Sequence, residues 1–389
     1  MLGEMIYLDN SATSFPKPPA VLEAMARFAS EYGANPGRSG HRLSVDAGRI
    51  MYETREALAA LFNQRDPLRV LFAANATGGL NQALLGLLRR GDRVVASGME
   101  HNSVMRPLRA LEAEGVSVVV APCALDGTLD PDDLRRLLSK NTAMVVVNHG
   151  SNVNGCLQSI REIGAVVREA GALFLVDAAQ TAGCVDIDMD RDSIDLLAFT
   201  GHKALYGPQG TGGLVVGERV PVERMRPLLY GGTGSRSEFE TQPNFIPDRF
   251  ESGTPNTIGI AGLAEGVRFI RDTGISEIRR HEDELAAKLC EGLSTIDGLR
   301  VFAGPEGRRL STVSFTCDTL SPSELGLRLD EEFDILCRVG LHCAPAAHTT
   351  IGSFPGGTVR LSAGFFTTDE EIVSTLNAIR VLAMSGEGS

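Results

Sequence analysis

Lys203 lies in Thr200-Gly201-His202-Lys203, directly after the apolar run Ile194 to Phe199 and ahead of Gly207-Pro208-Gln209-Gly210-Thr211-Gly212. An amine so placed can form an imine with an aldehyde, although a surface lysine fits the same spacing. Other polar groups follow other apolar runs in the same way. Asn75-Ala76-Thr77-Gly78-Gly79 opens a helical segment, so backbone N–H groups and a hydroxyl sit at a positive dipole end and form a cradle for phosphate. Taken alone, this is also what a threonine cap with glycine turns looks like. Glu100-His101-Asn102-Ser103, Asn148 to Asn152 and Asp177-Ala178-Ala179-Gln180 repeat the pattern after three further runs. Each alone is what a cap or turn uses. Together they offer a phosphate cradle, a ring for stacking, an amide and a carboxylate for a heteroaromatic ring, and a lysine for an imine, which is what pyridoxal 5′-phosphate requires.

These groups act together only if the elements before them end on one edge. The runs Arg69 to Ala74, Arg93 to Ser97, Val116 to Ala121, Ala143 to Asn148 and Ala172 to Val176 have the length of strands buried on both faces. Helical segments separate them: Leu80, Leu84, Leu87 and Leu88 share a face, and His101 to Glu114, Asp130 to Ser139 and Ser159 to Ala170 follow. Strand and helix in alternation predict an α/β fold with a large, mainly parallel sheet between helices, whose strand ends are where ligands gather. Ile194 to Phe199 and Gly213 to Val216 extend the sheet. A helix is expected around Ala20 to Tyr32, packed on either domain. Beyond Gly253-Thr254-Pro255-Asn256 a long helical region, Ile258 to Ile296, precedes isolated strands at Ser311 to Thr316 and Thr358 to Ser362. Capping boxes pair Ser321 with Glu324 and Thr368 with Glu371. This divides the chain into an N-terminal segment over 1–19, a large domain over 20–255 and a smaller α+β domain over 256–389.

With 37 lysines and arginines against 49 aspartates and glutamates in 389 residues, the net charge is −12, which argues against nucleic acid or an anionic membrane as a partner. The apolar runs are too short to span a bilayer. Met1 to Asn10 carries acidic residues and no basic apolar leader, so the cytoplasm is the expected compartment. Seven cysteines without a CxxC pair read as free thiols, and no metal site is expected. The 43 glycines, clustered as in Gly231-Gly232-Thr233-Gly234, suit either close backbone approach to a ligand or tight turns.

From Tyr7-Leu8-Asp9-Asn10-Ser11-Ala12 to Arg360-Leu361-Ser362 the chain resembles the fold-type I pyridoxal-phosphate enzymes of aminotransferase class V. Within them it resembles the short-loop cysteine desulfurases, the group that includes selenocysteine lyases. The resemblance implies that Lys203 bonds the cofactor aldehyde, that Asp177 partners the pyridinium nitrogen and that Gln180 touches the phenolic oxygen. It implies further that His101 stacks on the ring and moves protons, and that Ala76, Thr77, Thr200 and His202 bind the phosphate. Thr254 matches a threonine that reaches the phosphate of a neighbouring subunit, hence a homodimer. Arg360 matches the arginine that forks the substrate carboxylate, a geometry lysine cannot reproduce. Asn152 and His41 match other residues beside substrate.

Cys343, in Arg338-Val339-Gly340-Leu341-His342-Cys343-Ala344-Pro345, stands where the family carries its nucleophile, on a loop expected to be mobile, with arginine and histidine favouring the thiolate. The implied activity is a sulfurtransferase reaction: L-cysteine gives L-alanine and a persulfide on Cys343, which passes to a thiol or acceptor protein, as in iron–sulfur cluster assembly. Selenocysteine lyase, aminotransfer and epimerisation remain open on the same scaffold. After Cys343 the chain reads Ala344-Pro345-Ala346-Ala347-His348, where the best-known members usually have glutamine before proline, and this leaves the acceptor open.

Overall fold

The computed structural model describes residues 5–37 and 39–385, so the acidic start at Met1 to Glu4 lies outside the described residues. A short strand β1 (Ile6–Tyr7) leads to helices α1 (Pro19–Arg27) and α2 (Arg42–Leu61). The large sheet and its helices follow as β2 (Val70–Ala73), α3 (Ala76–Leu87), β3 (Arg93–Ser97), α4 (Asn102–Ala113), β4 (Ser117–Ala121), α5 (Pro131–Leu137), β5 (Thr142–Asn148), α6 (Ile160–Glu169), β6 (Leu173–Asp177), β7 (Leu196–Thr200) and β8 (Gly212–Val216). The strands lie in the order β2-β8-β7-β6-β5-β3-β4. From β7 to β4 all neighbours are parallel, whereas β8 runs antiparallel to both β7 and β2. Continuous apolar runs become central strands because both faces are covered: Val145, Val146 and Val147 are all buried, as are Leu80 and Leu84 of α3 and Leu88 just past its end.

The glycines after Lys203 serve packing rather than ligand approach. A Cβ on Gly212 would lie 2.6 Å from the Asn75 backbone, and one on Gly213 would lie 2.1 Å from Leu71 O. Only bare backbone lets β8 press against β2 and the start of α3.

The expected single helical region after Pro255 is two helices, α7 (Thr257–Thr273) and α8 (Ile275–Ser294). Gly274, at φ 90°, ends the first through its N–H on Ile270 O and redirects the chain. The remainder is β9 (Leu299–Phe302), β10 (Thr312–Cys317), α9 (Pro322–Phe333), β11 (Ile335–Leu336), β12 (Arg338–Gly340), α10 (Pro345–Ile351), β13 (Thr358–Ser362) and α11 (Asp369–Ser385). The strands expected to be isolated belong to a four-stranded sheet, β12-β13-β10-β9, that is antiparallel throughout. Its core joins Val313, Phe315 and Leu361 to Leu285 and Leu289 of α8.

Helix α7, which starts beyond residue 255, turns Leu263, Val267 and Ile270 into the same apolar cluster as Phe174 and Leu197 of the large sheet. Helix α1 packs against it. The N-terminal segment ties the two sheets together. β1 pairs with β11, Asp9 bridges to Ser362, and Ser14 N–H donates to His202 O at 3.0 Å. Among the described residues no helix is long and apolar enough to cross a membrane.

Candidate active site

A cleft of about 230 Å³ opens where β3, β5, β6 and β7 end, and the turn after β12 together with β13 closes it. It brings together Ala76, Thr77, His101, Asn152, Asp177, Gln180, Thr200, His202, Lys203, Cys343 and Arg360. His41 and Thr254 do not line it. His41 is exposed and caps α2, its Nδ1 accepting Ser44 N–H at 3.3 Å. Thr254 is exposed too, its hydroxyl accepting from Asn35 Nδ2 at 3.3 Å.

At one end stands the start of α3. Asn75 caps it by accepting Gly78 N–H at 3.1 Å, which leaves Ala76 and Thr77 as terminal donors at the positive end of the helix dipole. Nearby, Thr200 Oγ1 and His202 Nδ1 are buried without a hydrogen-bond partner. Buried polar atoms are rarely left so, and here both residues line the same cleft as Ala76 and Thr77 of the helix terminus. A phosphate group fits this donor set. The hydroxyls of Thr77 and Ser103 lie 2.7 Å apart.

In the middle of the cleft, burial pushes the Lys203 amine down to about 8, opposed by the charge of Asp177. At about 8 roughly a fifth of such an amine is neutral at pH 7.4, against about one part in a thousand for a free lysine, and the neutral form is the one that attacks a carbonyl. Burial raises the proton affinity of Asp177, and this is moderated by Ala179 N–H at 3.0 Å and by the Lys203 charge. A carboxylate this enclosed is suited to a cationic N–H partner. His101 caps α4 through Nδ1, which accepts Ser103 N–H at 3.1 Å, so the ring proton sits on Nε2. Burial, then Lys203 and Arg338, lower its affinity to about 4, so the imidazole is neutral. Gln180 donates one Nε2 hydrogen to Ser11 O at 3.0 Å.

At the other end Arg360 is wholly buried. Its Nη1 donates to Asn152 O at 2.9 Å, its Nη2 to Asp9 Oδ1 at 2.5 Å, and its Nε has no partner. The guanidinium expected to await a carboxylate is thus already partly engaged, and Nε is what remains unpaired. Asn152 Oδ1 is likewise buried without a partner, while its Nδ2 donates to His342 O at 2.8 Å.

Cys343 is the only exposed cysteine. It follows His342 in a turn where both residues take positive φ, 48° and 58°. The loop is tethered rather than loose: Cys343 O accepts Asn102 N–H at 2.9 Å, and Ala344 N–H donates to Leu341 O at 2.8 Å. Arg338 Nη2 stands 3.7 Å from Cys343 Sγ. The expected help from histidine is absent. Burial, then Arg360, push His342 down to about 2, so it is neutral and Arg338 is the adjacent cation.

Asp9 on Arg360, Ser103 beside Thr77 and Lys17, which donates to His202 O at 2.8 Å, were not anticipated as site residues.

A family model, aminotransferase class V, matches residues 6–374. A probable cysteine desulfurase of Methanothermobacter thermautotrophicus is 35% identical over 376 residues, covering 96% of this chain and 93% of its own. One from Xylella fastidiosa is 36% identical over 382 residues, covering 96% and 90%. Among solved structures, the apo cysteine desulfurase of Thermococcus onnurineus superposes with a TM-score of 0.91 at 33% identity, covering 98% of this chain and 95% of the other. The cysteine desulfurase CsdA of Escherichia coli gives 0.87 at 28%, with coverage of 98% and 95%. With the strand ends, the lysine and its carboxylate arranged as described, the chain belongs to the aminotransferase class V family.

Proposed function

We propose that this chain is a pyridoxal 5′-phosphate-dependent cysteine desulfurase that acts on L-cysteine and passes the sulfur to a thiol or an acceptor protein. The observation that carries the reading is the exposed Cys343 thiol in the same cleft as Lys203, Asp177 and Arg360. Transamination and epimerisation have use for the last three and none for the thiol.

The terminal amides of α3, Thr77, Thr200 and His202 would hold the cofactor phosphate, Lys203 its aldehyde and Asp177 its ring nitrogen. When bound, pyridoxal 5′-phosphate supplies a sink for the electron pair left at the substrate Cα. Arg360 orients the substrate through its carboxylate, beside Asn152. The neutral fraction of Lys203 would serve as the base toward the substrate Cα, and His101, a neutral imidazole with its hydrogen on Nε2, would donate a hydrogen bond in the same site. Arg338 stands beside Cys343 Sγ, and the Cys343 thiolate attacks the substrate sulfur: the Cβ–S bond breaks, an S–S bond forms on Cys343, and the carbon skeleton takes the pair and a proton to leave as alanine. Thr254, exposed on its loop, would serve the phosphate of a second copy in a homodimer.

The test is stoichiometric. Purified protein with L-cysteine and a reductant should give alanine and sulfide in equal amounts, and Cys343→Ser should give neither. Keto acid or racemised amino acid without sulfide would refute the reading.

A further inference from the structure

In the Glu100-His101-Asn102-Ser103 turn, the chemistry above gives Glu100 no task, yet its side chain is wholly buried, next in the chain to His101 and bonded to Asn148, which both line the cleft. Oε1 accepts from Ser97 Oγ at 2.5 Å and from Asn148 N–H at 2.8 Å. Ser97 ends β3 and Asn148 ends the neighbouring strand β5. Their ladder stops earlier, at Ala96 and Val146, so the Asn148 N–H takes a carboxyl oxygen in place of a strand carbonyl. Asn148 Nδ2 reaches back to Met99 O at 3.4 Å. On its other side Asn148 is the register partner of Asp177, and His149 N–H donates to Asp177 O at 3.0 Å.

We propose that Glu100 is a positioning residue: its carboxyl links the ends of β3 and β5 and thereby sets His101, the next residue in the chain, against Asp177 across the cofactor site. The inference rests on the reading of that site given above. The link works as a neutral acid. Burial pushes the carboxyl up to about 8, with the charge of Asp177 on β6 adding to it and the two hydrogen bonds opposing it. Cys123, beyond β4, is the other titratable group it influences. Oε2 has no partner, an arrangement that a buried neutral carboxyl tolerates better than an ionised one. Ionisation would place a second negative charge beside Asp177.

The experiment compares Glu100→Gln, which keeps the acceptor oxygen and the neutral charge, with Glu100→Ala, which removes both. Loss of the link should accelerate amide hydrogen exchange over residues 98–102 and 148–149 of the cofactor-free protein by about tenfold or more, and lower kcat by about ten- to a hundredfold. Glu100→Gln should restore both to within about threefold of wild type and lack the decline in kcat that wild type is expected to show as pH rises past about 8. Exchange and kcat unchanged in Glu100→Ala would overturn the proposal, as would a Gln variant as impaired as Ala. Should Glu100→Ala not fold, Ser97→Ala removes one of the two bonds at little volume cost and should give the same acceleration in smaller measure; unchanged exchange there would count against the link. Absence of cofactor absorbance in wild type would defeat the reading of the site, while the exchange measurements still decide on the link.

Discussion

Cys337 and Cys343 lie six residues apart, flanking β12 of the small sheet, and the fold treats them oppositely. Cys337 packs with the apolar cluster of the small sheet, and burial, with Asp9 adding, pushes its thiol up to about 12. Cys343 is exposed on a left-handed turn, with a guanidinium 3.7 Å from its sulfur. The side chains are chemically identical, so the whole difference comes from backbone and neighbours. A left-handed pair at His342 and Cys343 costs conformational energy, and the bonds from Asn152 and Asn102 hold it. Reactivity here is bought by that turn, which lifts the thiol out of the apolar layer.

The largest effect separating the two thiols is on turnover. Cys343→Ser should reduce alanine formation from L-cysteine at least about a hundredfold, because the nucleophile acts as part of a unit. Cys337→Ser should stay within about twofold of wild type, since its hydroxyl meets no reacting atom. Alanine and sulfide assays on both variants decide it, and equal losses would break the comparison.

Next in size is alkylation. At pH 8 a thiol at about 12 is thiolate to only about one part in ten thousand, and Cys337 is also screened by packing. Iodoacetamide should therefore modify Cys343 at least about a thousandfold faster, read by peptide mass spectrometry. Cys123 and Cys156, also raised to about 12 by burial, should stay unmodified alongside Cys337.

How much of this could be read from the chain differs by kind of feature. The central strands were legible because burial on both faces writes a continuous apolar run, as at Ala143 to Val147, and the polar residues after each run pointed to the cleft. Strands β9 and β12 were not anticipated, being short and half-exposed, and the break at Gly274 lies inside the single helical region expected over Ile258 to Ile296. Asp9 on Arg360 joins residues 351 positions apart, which no local pattern encodes. The neutrality of His342 follows from desolvation, a property of packing and not of spacing.

Arg338 sharpens the comparison at a smaller scale. Its guanidinium is the cation beside the Cys343 sulfur, so Arg338→Met should slow alkylation of Cys343 by about three- to tenfold and leave the other thiols unchanged, with Arg338→Lys in between. Because the contact is solvent-exposed, the difference should shrink with added salt. A rate unaffected by Arg338→Met would show that exposure alone sets the reactivity.

The smallest effect is on stability, and its sign reverses the order of the two cysteines. Cys337→Ala removes a partly buried sulfur from contact with the small-sheet core and should cost about 1 kcal/mol in urea unfolding at pH 7. Cys343→Ala, at an exposed turn, should fall within about 0.5 kcal/mol of wild type. The cost at Cys337 should also depend on pH. A thiol at about 12 in the folded chain and 9.0 when unfolded contributes stability that is complete below pH 9 and is lost as pH rises through about 12. Between pH 7 and pH 10 wild type should therefore lose about 1.4 kcal/mol relative to Cys337→Ala, closing the gap. A Cys337→Ala deficit that stayed constant over that range would mean that the Cys337 thiol is less enclosed than its position beside β11 and β12 indicates.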